Sequence, residues 1–120
     1  MVHVPVDPTS PADRIAPRHL FEARIRIRWQ RENQKLAAQG WTRDLSESGL
    51  SAFVADLLIV GELISLEVPL STAERMVIPA KVARSRGTEY GFQFTALSFA
   101  QRKEIQAILR GQPEIPFSSR

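Results

Sequence analysis

From Phe21 to Trp29 the chain alternates with a strict period of two. Phe21, Ala23, Ile25, Ile27 and Trp29 occupy one set of positions, and Glu22, Arg24, Arg26 and Arg28 the other. Successive side chains of a β-strand point to opposite faces, so this run gathers its apolar residues on one side only when extended. It predicts a half-buried strand with a basic outer face. The same period returns four times: in "GLSAFVA" with Leu50, Ala52 and Val54, in "ELISLEVPL" with Ile64, Leu66 and Val68, in "RMVIPAKVAR" with Met76, Ile78, Ala80 and Val82, and in "YGFQF" with Tyr90, Phe92 and Phe94. "RENQKLAAQGW" predicts a turn followed by a further strand reaching Trp41, and Gly61 marks another turn. Pro79 has no N–H to donate, which predicts an edge strand or a bulge at that point. Trp29 and Trp41 are expected in or near the core.

The period lengthens only after Leu97. Ser98 and Gln101 form an S-x-x-Q capping box, Ile105, Ile108 and Leu109 recur at helical spacing, and Gly111 and Pro113 supply the stop. The expected fold is therefore mainly β: a six-stranded antiparallel β-barrel with a C-terminal α-helix covering an open end. A length of 120 residues suits one domain with one core. Residues 1–13 contain Pro5, Pro8 and Pro11 and no periodicity, so they are expected to form a flexible arm. The domain proper is expected over residues 14–110, with 111–120 as a C-terminal tail.

Composition removes several function classes. The chain has no cysteine, which excludes disulfides, zinc–thiolate sites and thiol catalysis and points to a reducing cytoplasm. No apolar run approaches the ~20 residues of a spanning helix, and the first residues lack the pattern of a secretion signal, so no membrane insertion is expected. The two histidines, His3 and His19, stand far from any serine elbow and have no spaced carboxylate partner. The reading is a binder: not an enzyme, with no metal and no cofactor. His19 is read as a bystander. Of the 16 basic residues 13 are Arg, the side chain that pairs bidentately with phosphate or a guanine edge and stacks on flat rings.

Two polar clusters stand out. In "RIAPR", Arg14 and Arg18 lie four residues apart in a segment that Pro17 keeps out of the helical region. Arg24 and Arg28 have the same interval but lie on a regular strand, ~13 Å apart, and cannot easily close on one small anion. A loop can fold its two arginines together. The second cluster, "RDLSESGL" at residues 43–50, contains Asp44-x-Ser46-x-x-Gly49. Asp and Ser favour turns by bonding their own backbone, and Gly permits positive φ or close approach, so a hairpin alone would account for it.

Taken together and in order, Arg14-x-x-x-Arg18, a strand, a second strand, Asp44-x-Ser46-x-x-Gly49, three more strands and a helix resemble the PilZ domain, the bacterial receptor for cyclic di-GMP. The resemblance covers roughly residues 14–110 and includes "EYGFQFTALSFAQRKEIQAIL", which is similar to the family's last strand and following helix. The family often carries adjacent arginines at the start of the first motif, whereas here Asp13 precedes Arg14. The resemblance implies a split-barrel fold and a cyclic di-GMP site lined by Arg14, Arg18, Asp44, Ser46 and Gly49. Guanidiniums suit the ligand's phosphates and the guanine O6/N7 edge, and Asp44 and Ser46 suit its N–H donors. Gly49 would let the ligand or the arginine loop approach the strand. Arg43, Arg84 and Arg86 are candidate accessory contacts. The arm is expected to close over the ligand, and the chain to signal to a protein effector that the sequence does not identify. Two rival readings are a nucleic-acid-binding small β-barrel using Arg24, Arg26 and Arg28, and a ligand-free protein-interaction adaptor. Exposed aromatics for base stacking look scarce, so no nucleic acid is expected.

Overall fold

The computed structural model describes residues 17–69 and 75–115. Among these residues seven strands precede one helix: β1 (His19–Leu20), β2 (Arg24–Arg31), β3 (Gln34–Leu45), β4 (Gly49–Val54), β5 (Leu63–Val68), β6 (Met76–Arg86), β7 (Glu89–Phe94) and α1 (Phe99–Arg110). Six of them close into a ring in the order β3-β2-β5-β6-β7-β4, with β4 pairing back to β3 and every ladder antiparallel. Closure leaves the sheet no free edge. It is possible because β3, with 12 residues, is long enough to pair with β2 along its first part and with β4 along its last.

The turns follow from local chemistry. Glu32 and Asn33 join β2 to β3 with φ values of 51° and 66°, the two left-handed residues of a two-residue hairpin whose twist matches its strands. The apolar set predicted by the alternation faces the interior: Ile25, Ile27, Leu66, Val68, Ile78 and Val82 are fully buried. Burying each such side chain contributes roughly 1.5–3 kcal/mol. Trp29 joins this core, whereas Trp41 lies 47% exposed on the outer wall, contrary to expectation. Its place in β3 explains the difference: Gly40 and Thr42 are its inward-facing neighbours, so Trp41 must face out.

Pro79 is also placed differently from the expectation. β6 is a central strand between β5 and β7, and its register shift falls between Val82 and Arg84. The Pro79 carbonyl accepts from the Thr95 N–H, on the β7 side and just past the last residue of that strand. In an antiparallel ladder a residue's N–H and C=O point the same way, so the donor that proline lacks would have faced the end of β7.

The Ser98 hydroxyl accepts from the Gln101 N–H and the Gln101 side chain accepts from the Ser98 N–H, each at 3.0 Å, which completes the capping box of α1. Gln101 Nε2 also donates to the Val77 carbonyl at 2.8 Å, tying the helix start to β6. Ile105 and Leu109 are buried against the barrel. Beyond Gly111 the chain returns to β1: the Leu20 N–H donates to the Pro113 carbonyl and the Ile115 N–H to the Arg18 carbonyl.

Candidate ligand-binding site

Strand parity makes the second motif anomalous. Ala38, Gly40 and Thr42 alternate inward along β3, and strict continuation would drive Asp44 into the apolar core. A bulge prevents this. Thr42 pairs with Ala52, but the next pair is Asp44 with Ser51, leaving Arg43 as the extra residue. Ser51 lies between the core residues Leu50 and Ala52 and so belongs to the opposite, outer face. The bulge therefore re-aims Asp44 to the outer face beside Ser51 and returns Leu45 to the core.

On that face Asp44 is buried by chain rather than by barrel. β1 runs beside the end of β3, pairing His19 with Leu45 and Leu20 with Asp44. The Arg18 guanidinium reaches Asp44 with Nη1 3.7 Å from Oδ2. That separation is an ion pair without a direct hydrogen bond, so the guanidinium keeps its donors for other acceptors. Arg18 is 34% exposed and Asp44 nearly covered, so the cation is the member of the pair presented to solvent. The approach segment is firmly held. Thr42 Oγ1, fully buried, donates to the Phe21 carbonyl at 2.6 Å and accepts from the Ala23 N–H at 2.7 Å. His19, read as a bystander, bonds the Gln112 carbonyl through Nδ1 at 3.0 Å. Arg14, the other member of the spacing, lies outside the described residues.

Ser46 and Gly49 sit next to this pair, in the turn joining β3 to β4. The Ser46 N–H donates to the Gly49 carbonyl at 2.8 Å. Its hydroxyl lies 3.3 Å from the same carbonyl and accepts from the Ser48 N–H at 3.2 Å. Ser46 thus builds the turn it occupies. A Cβ at Gly49 would stand 2.0 Å from the Phe92 carbonyl oxygen of β7, an overlap of backbone with side chain that no rotamer relieves. The glycine is required by the neighbouring strand, a different reason from the ligand approach expected of it.

The three accessory arginines separate. Arg43 donates to Glu89 at 3.0 Å on the outer wall. Arg86 pairs in register with the same Glu89. Arg84 pairs with Gly91, whose other neighbour is Ser51. Sequence reasoning missed Ser51 and Gly91, which carry no motif, and the exposed cross-strand pair Trp41 and Phe53. The Arg24 guanidinium lies 5.9 Å from the centre of the Trp41 ring. An open groove of about 540 Å³ between Arg28, Trp29, Leu36 and Leu63 lies at the other end of β3, away from both motifs.

The candidate site is thus an outer face of the barrel, bordered by Arg18 and floored by small, covered residues. The PilZ domain family model matches residues 12–111. Among solved structures, the PilZ domain of CeSA from a cellulose-synthesizing bacterium is 18% identical, with 78% of this chain and 95% of that one covered and a TM-score of 0.60. The PilZ domain of YcgR from Escherichia coli, solved with c-di-GMP, is 14% identical, with 75% and 88% covered and a TM-score of 0.56. MrkH of K. pneumonia in its apo state is 16% identical, with 92% of this chain but 52% of that one covered and a TM-score of 0.55. No curated protein sequence matches the chain. The six-stranded closed barrel, the terminal helix and a family match over nearly the whole sequence lead to one conclusion: the chain belongs to the PilZ domain family.

Proposed function

We propose that this protein is a non-catalytic cytoplasmic receptor for cyclic di-GMP that signals to a protein partner. Arg14 and Arg18 grip the ligand's phosphates and a guanine O6/N7 edge, and the Asp44 carboxylate accepts from guanine N–H groups. Ser46 and Gly49 hold the turn that follows Asp44, which lies on the outer face of the barrel beneath the Arg18 guanidinium. The observation that carries this reading is the Arg18–Asp44 pair: a half-exposed cation preceding β1 and a carboxylate from a bulged strand meet on one outer face. An ion pair at 3.7 Å holds both groups near their binding positions before the ligand arrives, which lowers the ordering cost of binding. On binding, the N-terminal segment closes over the ligand, and the altered surface is what the partner reads. Calorimetric titration with cyclic di-GMP tests the reading directly. Saturable heat from the unaltered chain is expected, and a flat titration removes the receptor assignment.

One observation favours a second reading, a nucleic-acid-binding barrel. Trp41 and Phe53 form an exposed aromatic pair beside Arg24, the type of surface on which bases stack. It stands second because Arg28 and Arg43 on the same wall are already paired with Glu67 and Glu89. A salt-dependent gel shift on single-stranded nucleic acid separates the two readings.

A further inference from the structure

Arg84 shares with Asp44 a parity that its strand contradicts. Met76, Ile78, Ala80 and Val82 alternate inward along β6, and Arg84 is next in that series. A second bulge intervenes: Val82 pairs with Phe92 and Arg84 with Gly91, leaving Ala83 as the extra residue. Gly91 lies between the core residues Tyr90 and Phe92, so Arg84 is turned to the outer face as Asp44 is. The pairings Asp44–Ser51, Ser51–Gly91 and Gly91–Arg84 then form one continuous row across four strands. At the ~4.8 Å spacing of neighbouring strands the row is about 14 Å long.

Three features of this row point to a ligand. First, the exposed Arg84 side chain lies across Gly91, its cross-strand partner. A Cβ at Gly91 would stand 2.8 Å from its Cγ, 2.6 Å from its Nε and 3.2 Å from its Cζ. Second, Ser51 Oγ in the middle of the row is buried without a hydrogen-bond partner among the described residues. An orphaned buried hydroxyl costs roughly 1–3 kcal/mol, which a ligand group can recover. Third, no carboxylate among the described residues lies within ion-pair distance of Arg84, a property it shares with Arg24, Arg26 and Arg86 but which leaves its charge available to an anion on this row. Among the described residues, a guanidinium without a carboxylate, a floor of small residues and an unsatisfied hydroxyl thus share the row that ends at Asp44.

We propose that Arg84 is a ligand-contact residue forming the second wall of the site, so that cyclic di-GMP lies along the row from Arg18–Asp44 over Ser51 and Gly91 to the Arg84 guanidinium. This inference rests on the receptor reading above. Arg84 pairs with the phosphate or guanine edge at the end away from Arg18, and Gly91 is needed because any side chain there displaces it.

Calorimetric titration of the full chain with cyclic di-GMP tests this. Arg84→Ala is expected to weaken binding about ten- to a hundredfold, the value of a charge-assisted hydrogen bond. Arg102→Ala, which removes the same charge from the helix, is expected to leave affinity within about twofold. Gly91→Ala should weaken binding through displacement of Arg84, and the double variant should lose little more than either single one. Thermal melting checks that Gly91→Ala folds; if it does not, Arg84→Ala against Arg102→Ala decides alone. Equal affinities for unaltered chain and Arg84→Ala overturn this inference while leaving the receptor reading intact. Equal losses in Arg84→Ala and Arg102→Ala overturn it too, because general attraction then suffices. No binding by the unaltered chain removes both.

Discussion

Two stretches of the barrel wall use the same antiparallel ladder and treat their outer faces in opposite ways. The β3–β2, β2–β5 and β5–β6 ladders run without a register shift, and two of their outward arginines are paired with glutamates. Arg28 meets Glu67 at 2.7 Å and Arg31 meets Glu62 at 2.7 Å. The β3–β4 and β6–β7 ladders each contain one bulge, and each bulge rescues a charged residue that parity would have buried. Their outer face carries Asp44 and Ser51, both covered, where solvated charges would normally stand. The regular wall is a solution to folding. The bulged wall departs from the same rules at matched positions, and such departures are concentrated at functional sites.

The comparison breaks first at Gly49. Gly49→Ala forces a methyl group into the Phe92 carbonyl, and the strand must move. Overpacking of this kind costs on the order of 3 kcal/mol, so a fall in melting temperature of about ten degrees or more is expected, with binding lost as a consequence. A Gly49→Ala protein melting normally would show that β4 and β7 have slack.

Next come Arg18 and Asp44, where binding and stability should separate. Either alanine substitution is expected to weaken cyclic di-GMP binding by about a hundredfold or more, since a charged contact is lost together with its preorganised partner. Without ligand the two should differ. Arg18→Ala leaves a buried carboxylate without its guanidinium, whereas Asp44→Ala leaves a guanidinium that water can reach. Melting should therefore fall more for Arg18→Ala than for Asp44→Ala. The reverse order would mean that the carboxylate is hydrated in solution.

The regular wall offers smaller effects. Glu67→Gln removes the ion pair with Arg28, which is more than half exposed. A change below about 1 kcal/mol is expected in denaturant unfolding, with unchanged ligand affinity. A loss of affinity would extend the site onto β5 and erase the distinction between the walls.

The smallest effect is one of pH. The hydrogen bond from Arg31 holds the Glu62 carboxyl below its usual value, against the opposing effect of burial, and a bond from the Ile59 N–H adds to it. A depressed folded-state value contributes stability that is present above the ordinary carboxylate range and lost as pH falls through the folded value. Glu62→Gln should therefore flatten the acid limb of the stability profile below the usual carboxylate pKa and change nothing at neutral pH in binding. A limb as steep as that of the unaltered chain would assign the acid sensitivity to other carboxylates.

Most of the barrel was legible in the sequence because period-two alternation records which face of each strand is buried. Phe92, Ile27 and Leu66 declare their side by composition alone, and Ser98 with Gln101 declares the start of the helix. The exceptions were equally present in the letters. Thr42 with Asp44, and Val82 with Arg84, share a parity that cannot hold for both members in an apolar interior. That conflict signals a bulge, but it does not say which residue is extra, since that depends on the partner strand.

By itself the sequence determined the strand-rich class, the terminal helix and its cap, and the two motifs whose order marks the family. Each of these is encoded by residues a few positions apart, where periodicity and turn chemistry act. Only the tertiary structure decided that Gly49 yields to Phe92, that Trp41 faces outward, and that Asp44, Ser51, Gly91 and Arg84 fall into one row. Those relations join four strands distant in the chain, and ring closure with two register shifts is what brings them side by side.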